Sequence, residues 1–151
     1  MKYKGILLAL AILILACGVQ SAFAEGATVG DCSFTMPDDY VIVEQGTSAI
    51  SIGSNDHTTF ITVGTNIPQT PDAVRDTFEG NGEKYVDNKT YEYEGYNITQ
   101  LNFIDTDGYY HYIYVCKNDG NSIGINMLCK NEQPQLGDDS NPATGILSSI
   151  M

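Results

Sequence analysis

Residues 109–131 read YYHYIYVCKNDGNSIGINMLCKN, two strand-like runs joined by Asp119 and Gly120. An Asp-Gly pair suits a two-residue type I′ turn, in which both central residues have a positive φ. Such a turn fixes the register of the hairpin, which pairs Tyr112 with Met127, Tyr114 with Ile125 and Cys116 with Ile123. These residues form one apolar face. We therefore predict that the hairpin lies in the middle of a sheet, with Tyr112 and Tyr114 buried beneath a helix.

The opposite face of the hairpin is less apolar, because it includes His111 and Asn126. We predict that any binding site lies on this face, with Tyr109, His111 and Asn126 as the ligand-binding candidates. The chain is also rich in tyrosine, with ten in all. Tyrosines on a sheet can form a platform for carbohydrate or peptide. The alternative is that tyrosine simply suits a half-buried strand.

The first 24 residues have the pattern of a signal peptide. Lys2 and Lys4 precede an apolar run at residues 6–16, and residues 22–24 (AFA) form a small-x-small cleavage site. The sequence thus predicts a signal peptide at residues 1–24 and a single domain at residues 25–151. Two alternatives stay open, an uncleaved N-terminal anchor and a lipid anchor attached through Cys17.

The predicted mature chain is strongly acidic. Residues 25–151 hold all 19 acidic residues and five of the seven basic ones, which gives a net charge of −14. Nucleic acids and anionic lipid surfaces are bound by clusters of Lys and Arg. We therefore expect no nucleic-acid partner, and no stable membrane insertion after cleavage.

Cleavage would leave three cysteines, Cys32, Cys116 and Cys129. In the predicted register Cys129 lies six residues beyond the partner of Cys116, a separation of ~20 Å along the strand, so these two cannot form a disulfide. Whether Cys32 bridges to one of them, or all three are buried thiols, stays open.

The rest of the chain predicts a sheet interrupted by one helix. Thr70 and Pro71 suit the cap and first turn of a short helix that ends near Glu79. A second short helix is predicted after Asn141. The fold class is α+β, an antiparallel sheet of about seven or eight strands with a mid-chain helix and a C-terminal helix packed on it.

Three short motifs resemble those of the PsbP-like fold. Residues 34–40 (FTMPDDY) resemble its F-x-x-P-x-x-Y/F start, residues 93–96 (YEGY) precede its long meander, and residues 146–150 (ILSSI) resemble its C-terminal helix. An extrinsic photosystem II subunit, a Ran-binding nuclear import factor and many small exported prokaryotic proteins share this fold. The resemblance implies a fold and no common activity, and it does not imply a photosynthetic role.

The sequence contains no recognised catalytic or metal motif. It lacks G-x-S-x-G and H-E-x-x-H, and its two histidines, His57 and His111, lie far apart. We predict no catalytic residue, no metal site and no cofactor. Two sequons, at Asn88 and Asn97, are candidate glycosylation sites if the source organism glycosylates exported proteins.

These patterns predict an exported, non-enzymatic binding or structural protein at or outside the cell envelope, with an unidentified envelope or extracellular partner. A carbohydrate- or peptide-binding module that uses the tyrosine-rich sheet is one alternative. The other is a small secreted hydrolase, which requires a cleft where His111 or His57 meets a cysteine or a carboxylate.

Overall fold

The computed structural model describes residues 26–65 and 70–151. The predicted signal peptide, its cleavage site and Cys17 lie outside the described residues. The strands and helices are, in chain order, β1 (Gly26–Val29), β2 (Cys32–Thr35), β3 (Tyr40–Gln45), β4 (Ala49–Ser54), β5 (Thr59–Thr65), α1 (Pro71–Gly80), β6 (Lys84–Tyr93), β7 (Tyr96–Ile104), β8 (Tyr110–Lys117), β9 (Ser122–Cys129) and α2 (Pro142–Ser149).

Seven of these strands form one antiparallel sheet in the spatial order β3-β4-β5-β9-β8-β7-β6. Strands β1 and β2 pair with each other in a separate two-stranded sheet. The β8–β9 hairpin lies in the interior of the large sheet, and β6 to β9 follow one another as a meander, because each is joined to the next by a short turn. The predicted α+β class with its two helices is confirmed.

The central hairpin has the predicted register, but its turn is not type I′. Tyr112 pairs with Met127, Tyr114 with Ile125 and Cys116 with Ile123. Gly120 has a φ of 104°, whereas Asp119 has a negative φ. The two positive φ values of a type I′ turn occur instead at Glu94 (48°) and Gly95 (77°), between β6 and β7.

The larger core lies on the sheet face that carries Tyr114, and β1, β2 and α2 cover it. Tyr114 is 1 % exposed, and Ile125 and Met127 are completely buried. Side chains from all three covering elements belong to the same cluster, among them Val29, Phe34, Ile146 and Leu147. The predicted burial of Tyr112 and Tyr114 is thus confirmed.

A smaller core lies on the opposite face of the sheet, beneath α1. Val74 and Phe78, four residues apart and hence on one side of the helix, pack against β7 and β8. The Phe78 and Phe103 ring centroids are 5.5 Å apart. Helix α1 covers only the part of this face that β6, β7 and β8 form. Side chains on that part are buried beneath the helix, and the rest of the face is open.

Both helices are capped as the sequence predicts. At the start of α1 the Thr70 hydroxyl accepts a hydrogen bond from the Ala73 amide at 3.3 Å. At the start of α2 the Asn141 side chain accepts from the Ala143 amide at 2.9 Å and donates to the Tyr114 hydroxyl at 3.2 Å. Asn141 therefore joins α2 to the centre of the sheet. Within the described ranges, neither helix is long and apolar enough for a membrane span.

The three cysteines of the described chain are free thiols. Cys116 pairs with Ile123 and Cys129 with Tyr110, so the two thiols lie near opposite ends of the hairpin, as its register predicts. Burial raises the pKa of both thiols to about 12. They are therefore protonated and unreactive near neutral pH.

Candidate functional site

The core face of the sheet turns polar along β7. Tyr96 and Ile98 belong to the larger core, but Gln100 and Asn102, the next residues on the same face, are amides. Gln100 is only 4 % exposed. A buried amide is costly unless it is hydrogen bonded, so its partners account for its presence here.

Gln100 belongs to a continuous chain of hydrogen bonds. The Tyr91 hydroxyl donates to Gln100 Oε1 at 2.8 Å, and Gln100 Nε2 donates to Asn102 Oδ1 at 2.8 Å. Asn102 Nδ2 then donates to Asp87 Oδ1 at 2.6 Å. The carboxylate of Asp87 can only accept, so it fixes the orientation of both amides and the direction of every donor in the chain.

The proton at the start of this chain is firmly held. Burial, with a smaller contribution from the nearby Cys116, raises the pKa of the Tyr91 hydroxyl well above its usual value. Tyr91 therefore remains a donor to Gln100 throughout the physiological range. The polar chain runs in one direction, from a phenol in the core to a carboxylate at the sheet edge.

Two tyrosines on β8 form the wall beside these amides. The Tyr110 and Tyr112 rings are stacked, with centroids 6.5 Å apart and planes 10° apart. Tyr112 is buried, and its hydroxyl accepts a hydrogen bond from the Gln133 amide at 2.9 Å. Tyr110 is half-buried. The inner ring is thereby fixed, and the outer ring remains accessible.

The side chains of Asp87, Gln100 and Asn102 and the two tyrosines of β8 line a cleft of about 330 Å³. Strand β7 forms the floor of the cleft. One side is the edge strand β6 with Val86 and Lys89, and the other side is the pair of tyrosines on β8. Residues 132–135 form the rim. Binding sites for small ligands commonly measure ~300–1,000 Å³ and combine apolar walls with a few convergent polar groups. The cleft lies at the lower end of this range and combines apolar and polar side chains, and we define it as the candidate site.

The residues predicted as binding candidates lie elsewhere, and His111 is not accessible. His111 is 6 % exposed. Its Nδ1 contacts Glu83 Oε2 at 2.6 Å, its Nε2 contacts Asn126 Oδ1, and Phe78 packs edge-on against its ring. The prediction that His111 faces a partner is wrong for this structure, because α1 and Glu83 cover it. Asn126 and Tyr109 are half-buried and do not line the cleft.

The His111–Glu83 pair bears on the hydrolase alternative. A histidine does meet a carboxylate here, but Phe78 closes the pair from above. The alternation along β8 and β9 directs Cys116 and Cys129 to the opposite face of the sheet. No described group of three or more His, Cys, Asp or Glu side chains is arranged to hold a metal ion.

Asn88 and Asn97, the two glycosylation candidates, are both exposed. They lie on β6 and β7, on the face opposite the cleft, since Asn88 pairs with Leu101 and Asn97 follows the same alternation. A glycan at either position would leave the cleft open. Their modification stays a prediction.

Sequence reasoning missed Asp87, Gln100 and Asn102, although β7 contains a signal for them. In its sequence YNITQLNFI the apolar residues occupy the even positions Tyr96 and Ile98, and then the odd positions Leu101 and Phe103. A change of phase within one strand means that its core changes faces. The amides occupy the positions that the larger core no longer uses.

No protein-family model matches the sequence, and no curated protein matches it significantly. Among solved structures, the chain is similar to cyanobacterial PsbP (CyanoP) from Synechocystis sp. PCC 6803, with a TM-score of 0.50 and 13 % identity over 76 % of this chain and 86 % of that one. A structure from Bacteroides thetaiotaomicron VPI-5482 has a TM-score of 0.46 and 13 % identity, over 80 % of this chain and 44 % of that one. The resemblance to the PsbP-like fold is confirmed, at the level of fold.

Proposed function

We propose that this protein of PsbP-like fold is an exported, non-enzymatic binding protein that acts at or outside the cell envelope and takes a polar ligand in the cleft between β6, β7, β8 and residues 132–135. The observation that supports the proposal is the hydrogen-bonded chain Tyr91–Gln100–Asn102–Asp87, which includes the buried Gln100 and ends at the exposed Asp87. A stability-driven core would place an apolar residue at position 100, because a buried amide contributes little net stability even when it is hydrogen bonded. Departures of this kind from local packing rules are typical of functional sites.

Binding rather than histidine- or thiol-dependent catalysis fits the positions of His111 and the cysteines. His111 and the buried thiols lie outside the cleft, and both thiols are kept protonated by burial. The hydrolase alternative is tested by recovering the bound ligand. We expect it unchanged after prolonged incubation at 37 °C, and a cleaved product would contradict the non-enzymatic proposal.

A thermal-shift screen with a chemically mixed library of saccharides, peptides and amines tests the binding site. Asn102→Trp fills the cleft, whereas Asn97→Trp, a matched change on the same strand, projects from the opposite face. We expect the ligand to raise the melting temperature of the wild type and Asn97→Trp, because it binds only the native state. Asn102→Trp should show no shift. An equal shift in all three proteins would place the site elsewhere.

Export is tested separately by intact-mass spectrometry of the protein from its native host. The predicted cleavage site gives a mature protein that begins at Glu25. A species that retains Met1 would support the uncleaved N-terminal anchor. A lipid adduct on Cys17 would support the lipid anchor.

A further inference from the structure

We propose that the ligand of the cleft is a neutral saccharide, stacked on Tyr110 and hydrogen bonded by Asp87, Gln100 and Asn102. This inference rests on the proposed function and adds the class of ligand.

Tyr110 provides the stacking surface. A sugar ring has an apolar face formed by C–H groups, and it packs flat on an aromatic ring because that face and the π-system are complementary. Tyr110 is half-buried, and Tyr112 lies parallel to it at 6.5 Å as a fixed neighbour. The Gln133 amide holds Tyr112 in turn. The half-buried Tyr110 ring is therefore oriented before the ligand arrives, which lowers the entropic cost of binding.

The polar chain supplies the hydrogen bonds that sugar hydroxyls need. Its internal bonds use one oxygen of Asp87 and one amide hydrogen each of Asn102 and Gln100. Each of the three side chains thus retains capacity, an anionic acceptor on Asp87 and an N–H donor on each amide. Adjacent hydroxyls both donate and accept, so they match a row of donors that ends in an acceptor. A purely donating or purely accepting ligand would leave part of this row unpaired.

The charges and the hydrogen-bonding groups of the lining together favour a neutral ligand. The lining contains two carboxylates, Asp87 and Glu132, and one cation, Lys89. An anionic ligand meets this net negative lining on a mature chain of net charge −14, so sialylated, sulfated or phosphorylated sugars are disfavoured. An ammonium group can only donate hydrogen bonds, so an amine would leave the spare N–H donors of Gln100 and Asn102 unpaired.

The sheet edge beside the cleft disfavours a peptide. An extended peptide would add to β6 as a further strand and would need an uninterrupted row of backbone groups. The pairing of β6 with β7 shifts between Tyr85 and Asp87, and the bulged Val86 is 52 % exposed. A bulge at this point twists the edge and interrupts strand addition where the cleft opens.

The test is a glycan array with neutral, sialylated, sulfated and amino-sugar sections, together with a peptide library, probed with the exported form recovered after expression of the full chain. Calorimetry then measures the affinity of each hit for four variants. We expect neutral glycans to bind the wild type, Tyr110→Phe to stay within about threefold because the ring is retained, and Tyr110→Ala and Asn102→Ala to lose tenfold or more. The matched control Asn97→Ala, on the other face of β7, should bind like the wild type. Near-ultraviolet circular dichroism confirms that each variant is folded.

The possible outcomes distinguish a failure of the saccharide proposal from a failure of the proposed function. Binding of only acidic glycans, amino sugars or peptides, with the same dependence on Tyr110 and Asn102, overturns the assignment of a neutral saccharide and leaves the proposed function standing. Neutral glycans that bind all four variants equally place the site outside the cleft and overturn both. The absence of any hit at millimolar concentration overturns the saccharide proposal, and the thermal-shift screen then decides the proposed function.

Discussion

At the scale of single residues, Tyr114 is the side chain on which the larger core depends. It is 1 % exposed, and its hydroxyl accepts from Asn141 at the start of α2. Tyr114→Ala should cost ~3–5 kcal/mol of unfolding free energy, because it leaves a cavity in the core. Tyr114→Phe should cost only ~1 kcal/mol, because Asn141 still donates to the Pro134 carbonyl at 2.8 Å. Urea denaturation measures both. Tyr109→Ala removes a half-buried ring and should cost less than Tyr114→Ala.

His111 should contribute to stability rather than to binding. Its side chain is 7 % exposed and that of Glu83 is 8 % exposed, so removing one partner leaves the other buried alone. We expect His111→Leu to cost about 3 kcal/mol, and the double variant His111→Leu/Glu83→Leu to cost clearly less than the sum of its two single changes. A fully additive cycle in urea denaturation would show that the pair is uncoupled. Ligand binding by the single variant should be unchanged.

The contrast between these two residues shows what alternation along a strand can predict. The burial of Tyr114 follows from its own hairpin, because its neighbours on that face are all apolar. The burial of His111 depends on Phe78 and Glu83, which are 33 and 28 positions earlier in the chain. A pattern within one hairpin does not indicate which distant element covers its second face.

At the scale of elements, the two tight turns of the meander differ in backbone conformation. Asp119-Gly120 has the preferred sequence of a type I′ turn but lacks its geometry, whereas Glu94-Gly95 has two positive φ values despite a glutamate at the first position. The register of the central hairpin could nevertheless be predicted, because a two-residue loop aligns the strands in the same way whichever turn it adopts. The local sequence thus predicted the strand pairing correctly but not the φ angles of the turn residues.

Glu94 should therefore be the position where a turn substitution stabilises the protein. A non-glycine residue in the left-handed region costs ~1–2 kcal/mol, and asparagine tolerates that region best. We expect Glu94→Asn to raise the unfolding free energy by about 0.5–1 kcal/mol. The matched change Asp119→Asn should alter it by less than about 0.5 kcal/mol, because φ is already negative there. If thermal melts show that Asp119→Asn stabilises the protein more than Glu94→Asn, the positive φ belongs to residue 119 and not to residue 94.

At the scale of the whole molecule, the sequence predicted the layers but not the cleft. The cleft combines Asp87 from the edge strand, amides from β7, tyrosines from β8 and the rim at residues 132–135. Each of these groups has an ordinary local explanation, as a polar edge residue, a strand tyrosine or a loop. Only the sheet order and the uncovered part of the core face bring them together, and neither can be derived from one strand at a time.

Two buried thiols in the larger core make the stability of the folded protein sensitive to alkaline pH. Burial raises the pKa of Cys116 and Cys129 from 9.0 to about 12, so between these values the folded state retains two protons that the unfolded chain releases. The folded state binds more protons, and its stability therefore falls as the pH rises, by about 1.4 kcal/mol per pH unit for each thiol. Below pH 9 this contribution is complete and constant.

Urea denaturation at intervals from pH 7 to 11, under reducing conditions, measures this slope. The double variant Cys116→Ala/Cys129→Ala should be less stable at pH 7, because it leaves cavities, yet its stability should fall less steeply above pH 9. Val115→Ala is the matched control, since it removes a buried side chain between β7 and β9 that does not titrate. It should lower stability at every pH and leave the slope unchanged. Parallel slopes in the wild type and the double cysteine variant would show that the thiols are solvated, and that the core around them is looser than its packing indicates.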